Sequence, residues 1–346
     1  MSSSGNRRFA IDRRALLAGG GLFAAGLALA ACDNAQAPVD EEGRVRLRLA
    51  VESPANAEHG GFHQALASGA YEKRGLNVQI IQGAPGGDMA GKLAAGSVEL
   101  ALAADSFTPM RLVAQGAPVK AVAAFFQKSP QVLMTRPDAA LTGIADLADR
   151  PVFLPDAARD TVWPWLKHAY GFTDEQLQPW SDDPAAFLAD RQAVRLGDLT
   201  RDPYQIRRDG GAEPRSFLLA DEDYPAYGAL VLATTPFARD NAEALRKFIA
   251  ASVEGWRDYI QGDGRDADAL IRSANPEMRQ PDLDQARALL RARGLVDGGD
   301  AALYGLGAMT DERWKTFLDT MAEAGVYPAN LDWRQAFTTQ YLPGRG

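Results

Sequence analysis

Cysteine is almost missing from this chain of 346 residues: the single one is Cys32. Beyond it the chain can hold no disulfide framework, no thiol nucleophile and no thiolate metal site. Histidine is scarce too, at three residues. No HExxH, GxSxG, GxGxxG or Walker pattern follows residue 32, so nothing signals a zinc protease, a serine hydrolase, a dehydrogenase or a nucleotidase. Positive charge is in deficit, with 37 Lys and Arg against 45 Asp and Glu. That balance argues against nucleic acid or another polyanion as partner. A long apolar run is absent as well: residues 15–31 are uncharged but number only 17 and include four glycines, where spanning a bilayer takes about 20 apolar residues.

What is present at the start is a basic segment with Arg7, Arg8, Arg13 and Arg14, then that apolar run, which together read as an export signal over residues 1–32. Leu29-Ala30-Ala31-Cys32 resembles the lipobox of bacterial prolipoproteins, so Cys32 is the expected lipidation site and new N-terminus. A diacyl anchor supplies two chains, enough for stable membrane attachment. Asp12-Arg13-Arg14-Ala15-Leu16-Leu17 resembles a twin-arginine signal, with Asp12 and Leu16 departing from the usual residues; the twin-arginine and general routes both stay open. In a cell with two membranes, Asp33 resembles the signal that keeps lipoproteins on the inner membrane, facing the periplasm; with one membrane the protein would stand on the cell surface. Removing residues 1–32 leaves 33 basic against 44 acidic residues among 314, long enough for two lobes.

Residues 33–43 are polar and aperiodic and read as a flexible tether. From Arg44 onward strand patterns alternate with helical ones: RVRLRLAVES, a helix through HGGFHQALASGAYEKRG, NVQIIQG, a helix through DMAGKLAAG, VELALAA, a helix through FTPMRLVAQG, then VKAVAAFFQ. Gly75, Gly96 and Gly116 stand where left-handed helix caps are needed. The theme repeats in QVLMTRP, RPVFLP, a helix over 161–170, an acidic loop and PRSFLLA; YGALVLATT then precedes a long amphipathic helix over 241–261. The expected fold is α/β with mostly parallel sheets. One lobe takes residues 44–127 and 230–346, the other 128–229, and two crossings between them form a hinge.

The run SPANAEHGGFHQALASGAYEKRGLNVQIIQGAPGGD, with LAAGSVELALA, GAPVKAVAAFFQKSPQVLM and DLADRPVFL, resembles the NMT1/THI5-like (SsuA/THI5-like) family of periplasmic binding proteins. EHGGFHQAL, TVWPWLKHAYGF, FLLAD, ASVEGW and GAMTDERW look closest to its thiamine-pyrimidine-precursor branch. The resemblance implies a type II two-lobed fold and capture of a small solute for the permease and ATPase of an ABC importer. Fungal members are pyrimidine-making enzymes with a cysteine-rich motif. This chain has no cysteine beyond Cys32, so no catalytic residue, cofactor or metal is expected. A ligand sensor is the other rival reading.

In such a fold the ligand crevice lies beyond the carboxyl ends of the strands and between the lobes. That points to Glu52–His59, residues 83–88, residues 104–106 and the first crossing at Phe126 and Gln127. The candidate ligand contacts are Glu58, His59, Phe62, Asp88, Asp105, Phe126, Gln127, Trp163 and Tyr224. Asp88 and Asp105 occupy N-cap positions and are caps, ligand contacts or both. With Glu52, Glu58, Asp221 and Asp223 they would disfavour an anion such as a sulfonate or nitrate and suit a neutral or amino-bearing ring, for example an aminopyrimidine. Trp163 and Trp165 flank Pro164 and cannot share a helix face; the reading favours Trp163 for stacking and Trp165 for the core. Phe62 is core or cleft, and Tyr224 touches ligand or braces the second crossing. His59 and His63 stand i,i+4 without a third ligand nearby in sequence. The protein is expected to be a monomer.

Overall fold

The computed structural model describes residues 37–83, 87–137, 140–210 and 212–343. The export signal, Cys32 and residues 33–36 lie outside the described residues. Residues 37–43, expected to continue a tether, instead lie along the first strand: Val39 bridges Val45, Pro38 O accepts from Arg46 N at 2.8 Å, and Asp40 takes bonds from Arg44 and Asn77.

Five strands make the first sheet. β1 (Val45–Val51) leads to α1 (Gly60–Ala67), β2 (Leu76–Gln82) to α2 (Met89–Ala94), β3 (Leu100–Asp105) to α3 (Phe107–Ala114), and β4 (Val119–Phe126) closes the run. The second sheet follows with β5 (Gln131–Thr135), β6 (Val152–Phe153), α4 (Val162–Tyr170), β7 (Leu177–Gln178), α5 (Ala185–Ala189), β8 (Val194–Asp198), α6 (Asp202–Gly210) and β9 (Arg215–Leu218). The chain then returns through β10 (Gly228–Thr234), which inserts between β3 and β4 to give the order β2-β1-β3-β10-β4; the second sheet runs β7-β6-β8-β5-β9. Helices α7 (Thr235–Asp240), α8 (Ala242–Gln261), α9 (Arg265–Ala274), α10 (Gln280–Ala292), α11 (Gly299–Tyr304) and α12 (Asp311–Glu323) complete the chain. β1 is parallel to β2 and β3, whereas β10 is antiparallel to both its neighbours and β5 to both of its own. Both sheets are therefore mixed. The outer edge of β4 is covered by the C-terminal segment, with Ala121 bonded to Ala336 and Thr338, which blunts an exposed ladder.

The expected helix over 59–75 is shorter than its sequence pattern. It stops at Ala67 because Gly69 turns left-handed (φ 68°), and a second left-handed residue, Gly75 (φ 73°), then delivers the chain into β2. The acidic loop expected before PRSFLLA is a larger departure: it contains β8, the middle strand of the second sheet, with two short helices.

The wall between α1 and α8 sets the position of the residues that follow β1. Gly61 faces Trp256, Gly60 faces Tyr259, and a side chain on Gly255 would stand 2.2 Å from Gly61 O. Phe62 fills the contact, its ring 5.8 Å from Trp256 and 5.1 Å from Phe125, both edge-on. This aromatic packing fixes the backbone that carries Glu58 and His59.

Candidate functional site

β1 and β3 run side by side, with Ala50 level with Ala101, so Glu52 and Asp105 emerge at the same end of the first sheet. Asp105 is half-buried and its Oδ1 accepts from Phe107 N at 3.0 Å, the capping role expected of it, one residue before the helix boundary residue Ser106. Burial raises its carboxyl above the ordinary carboxylate range, against the pull of these backbone bonds and of Arg111. Glu52 has no hydrogen-bond partner among the described residues; burial, and then the charge of Asp105, push it up to about 7. Ala104, immediately before Asp105 in β3, is exposed although Leu100 to Ala103 are buried.

The second crossing supplies the facing wall. Tyr224 is 1% exposed, yet its hydroxyl has no hydrogen-bond partner. Burial and the nearby Asp105 charge raise its pKa, so the hydroxyl keeps its proton. An orphaned hydroxyl of this kind costs about 1–3 kcal/mol unless something binds it. Trp165 leans on the Tyr224 ring at 4.8 Å, and Tyr327, which donates to Phe107 O at 3.1 Å, also feels the Asp105 charge. The tryptophan beside Tyr224 is thus Trp165 and not the favoured Trp163. Trp163 donates its indole N–H to Asp174 at 2.8 Å, meets Phe172 edge-on, and borders an open groove of about 1130 Å³ with Lys167, His168 and Glu323.

Nearer to α6 the two sheets' loops touch. The Thr200 hydroxyl, just after β8, lies 2.8 Å from Glu58 Oε1 and 2.6 Å from Asp198 Oδ1. Its one hydrogen cannot serve both, so a carboxyl proton must complete the trio. Asp198 is the group for it, since burial and then the Glu58 charge raise it well above the ordinary value. A pocket of about 300 Å³ opens here, lined by Asn56, Glu58, Thr200, Arg201, Tyr204 and Asn275 among others.

The remaining expected contacts are otherwise engaged. Phe62 is fully buried between α1 and α8, the core alternative for it, and Phe126 packs edge-on to Trp256 at 5.5 Å. Gln127 spends its amide on Ala124 O and Ala308 O and its oxygen on Ala301 N, so it braces the first crossing. Asp88 caps α2 by accepting from Gly91 N at 2.7 Å. His59 is buried at the start of α1; burial, and then His63, depress it to about 3. Asp221, counted with the acidic groups, is neutralised by Lys128 at 2.8 Å and Arg293 at 3.3 Å. Of the acidic groups expected to shape the cleft, Glu52 and Asp105 meet at the end of the first sheet, and Asp105 also acts on Tyr224. Tyr227, not Tyr224, braces the second crossing: its hydroxyl bonds Asp300 and accepts from Thr310 N. Arg313 of α12 ties the two crossings together, through Gln127 O at 2.7 Å and Pro225 O at 2.9 Å. Among the described residues no helix is long and apolar enough to cross a membrane.

Two mixed α/β sheets joined by two crossings, with polar groups gathered at the strand ends, define a type II periplasmic binding-protein fold, and solved structures agree. The periplasmic aliphatic sulphonate-binding protein SsuA from Escherichia coli matches with a TM-score of 0.62 at 18% identity, over 84% of this chain and 97% of that one. The chain belongs to the NMT1/THI5-like family, whose model matches residues 56–263. Among curated relatives, the riboflavin-binding protein RibY of Chloroflexus aurantiacus is 26% identical over 330 residues, 91% of each chain. The formylaminopyrimidine-binding protein of Halalkalibacterium halodurans is 23% identical over 257 residues, covering 72% of this chain and 77% of that one.

Proposed function

We propose that this protein is the extracytoplasmic substrate-binding lipoprotein of an ABC importer, that it carries no catalytic activity, and that it captures a small planar nitrogen heterocycle such as a thiamine-precursor aminopyrimidine. The observation that carries the ligand class is the buried, unpartnered Tyr224 hydroxyl near the Asp105 carboxyl, which in turn acts on Glu52 at the same sheet end, with Trp165 against the Tyr224 ring. Such a corner suits a flat ring that donates hydrogen bonds and repels an anion. Relatives named for binding riboflavin and formylaminopyrimidine, both flat nitrogen heterocycles, support the same class. The extent of the match to the riboflavin-binding relative favours a flavin as the second reading.

In this reading the lobes, 44–127 with 230–346 and 128–229, close over the ligand and present the closed form to a permease and its ATPase. The protein acts as a monomer held to the inner membrane by lipid on Cys32, facing the periplasm, or to the cell surface where there is one membrane. Cys32→Ser should move the protein from the membrane to the soluble fraction; retention in membranes would remove the lipid anchor from the proposal. The decisive experiment is a thermal-shift screen of the purified chain against aminopyrimidines, riboflavin, sulfonates, nitrate and amino acids. A ligand at 100 times its Kd adds about 2.7 kcal/mol of stability, a shift of a few degrees. A response to a heterocycle supports the reading, a response to sulfonate alone refutes the ligand class, and silence throughout favours a sensor.

A further inference from the structure

Four observations converge at the carboxyl ends of β1 and β3. Glu52 has no hydrogen-bond partner among the described residues, and Asp105 uses Oδ1 on its own helix start. The Tyr224 hydroxyl is buried and unpartnered, so a hydrogen-bonding group brought beside it would relieve an unmet bond. Ala104, immediately before Asp105, is exposed. The charged and titratable groups that act on this corner are Glu52 from the end of β1, Asp105 from β3, Arg111 from α3, Tyr224 from the crossing and Tyr327 beyond α12. Arg111 is the single cation among them, so the corner has a surplus of acceptors.

We propose, resting on the heterocycle reading above, that Glu52 and Asp105 select the ligand by an amidine-type edge, an exocyclic N–H donor beside a ring nitrogen, and reject isosteres that carry a carbonyl there. A carboxylate accepts from the exocyclic amine. The proton shared between the second carboxyl and the ring nitrogen closes the pair, whichever of the two holds it. The Tyr224 hydroxyl gains its missing partner from the same edge. A carbonyl oxygen in the amine's place has no hydrogen to give a carboxylate, so binding it requires the facing carboxyl to take up a proton, and that added requirement is the basis for discrimination. Burial and the charge of Asp105, which raise Glu52 to about 7, fit a corner that a proton-bearing ligand would relax.

The test is calorimetric titration of the full-length chain, purified in detergent, with an amino-hydroxymethyl-methylpyrimidine, its oxo isostere, riboflavin and ethanesulfonate, repeated on Glu52→Gln, Asp105→Asn and Tyr224→Phe. We expect the amino compound to bind at least about tenfold more tightly than the oxo compound, a gap of about 1.4 kcal/mol. Glu52→Gln should close most of that gap with the melting temperature kept, and Tyr224→Phe should weaken the amino compound several-fold. If the amino compound binds but the gap persists in both carboxyl variants, the selection mechanism is wrong and the heterocycle reading stands. Riboflavin binding alone also overturns the amidine edge and leaves that reading intact. If ethanesulfonate binds and no heterocycle does, or if no probe binds at all, both fall.

Discussion

His63 offers a quantitative test of how the wall behind the candidate site is built. It is 5% exposed and neither ring nitrogen has a hydrogen-bond partner; burial depresses it from 6.5 to about 4. Because the folded value lies below the unfolded one, the folded state binds fewer protons between them. Stability is therefore full above the unfolded value and declines as pH falls through 6.5 toward 4. At about pH 5 those two values make the loss about 2 kcal/mol, against almost none at about pH 8. Glu52, Asp105 and Asp198 act in the opposite sense: their folded values are raised, so their contribution is full at low pH and declines as pH rises through those values. A simple pH scan would mix the two effects. Comparing His63→Leu with the parent at both pH values cancels the carboxyl part, because both proteins retain it. Leucine is close in volume and has no polar atom to orphan, so the variant should be no less stable than the parent at about pH 8. Its advantage at about pH 5 should be larger by about 2 kcal/mol, read from urea unfolding. An equal advantage at both pH values would mean that the folded imidazole takes up protons as freely as the unfolded one, and the reasoning would fail.

Other consequences can be checked singly. Thr200→Val removes the hydroxyl between Glu58 and Asp198, including a bond to the charged Glu58 worth about 1.5 kcal/mol or more, and should weaken ligand affinity about tenfold by titration calorimetry; unchanged affinity would reduce this contact to a bystander. Asp268 is fully buried and bonded to Arg287 at 2.8 Å and Gln280 at 2.7 Å, so Asp268→Ala should cost about 3–5 kcal/mol in chemical unfolding, whereas an exposed pair such as Arg159 with Asp156 should change little when broken. Gly255→Ala would set a methyl against the backbone of Gly61, which cannot rotate away, and should lower stability by about 3 kcal/mol, seen as a lower melting temperature.

The first sheet was legible because each strand carries a dense apolar run and a left-handed glycine precedes each of β2, β3 and β4: Gly75, Gly96 and Gly116 have φ of 73°, 66° and 69°. The second sheet was only partly legible. β8 has the sequence VRLGD, in which Arg195 is buried and lies over the Trp180 ring at 3.9 Å. A charged residue at a buried strand position breaks the expected alternation, and its neighbourhood of acidic residues made the segment look like loop. The signal that could have recovered it is Val194 and Leu196 two apart, followed by a helix start at Asp202. Missing that strand also hid Asp198 and Thr200.

The site shows a different limit. Position along the chain identified which loops reach the strand ends, and Asp105, Glu52 and Tyr224 all lie in them. It could not tell a side chain with spare bonding capacity from one already committed. Gln127 and Tyr224 illustrate the difference: both are buried polar residues at a crossing, but three backbone groups saturate the former while the latter has none. Likewise Trp163 and Trp165 are equivalent in pattern, and only the turn of α4 decides which one meets Tyr224. Commitment is a property of neighbours far apart in sequence, such as Ala301 and Ala308 for Gln127. An unspent hydroxyl inside a packed wall therefore says more about a ligand than residue type or loop position. Filling that hydroxyl's vacancy should make ligand affinity more sensitive to Tyr224→Phe than folding stability is; the reverse order would return Tyr224 to the core.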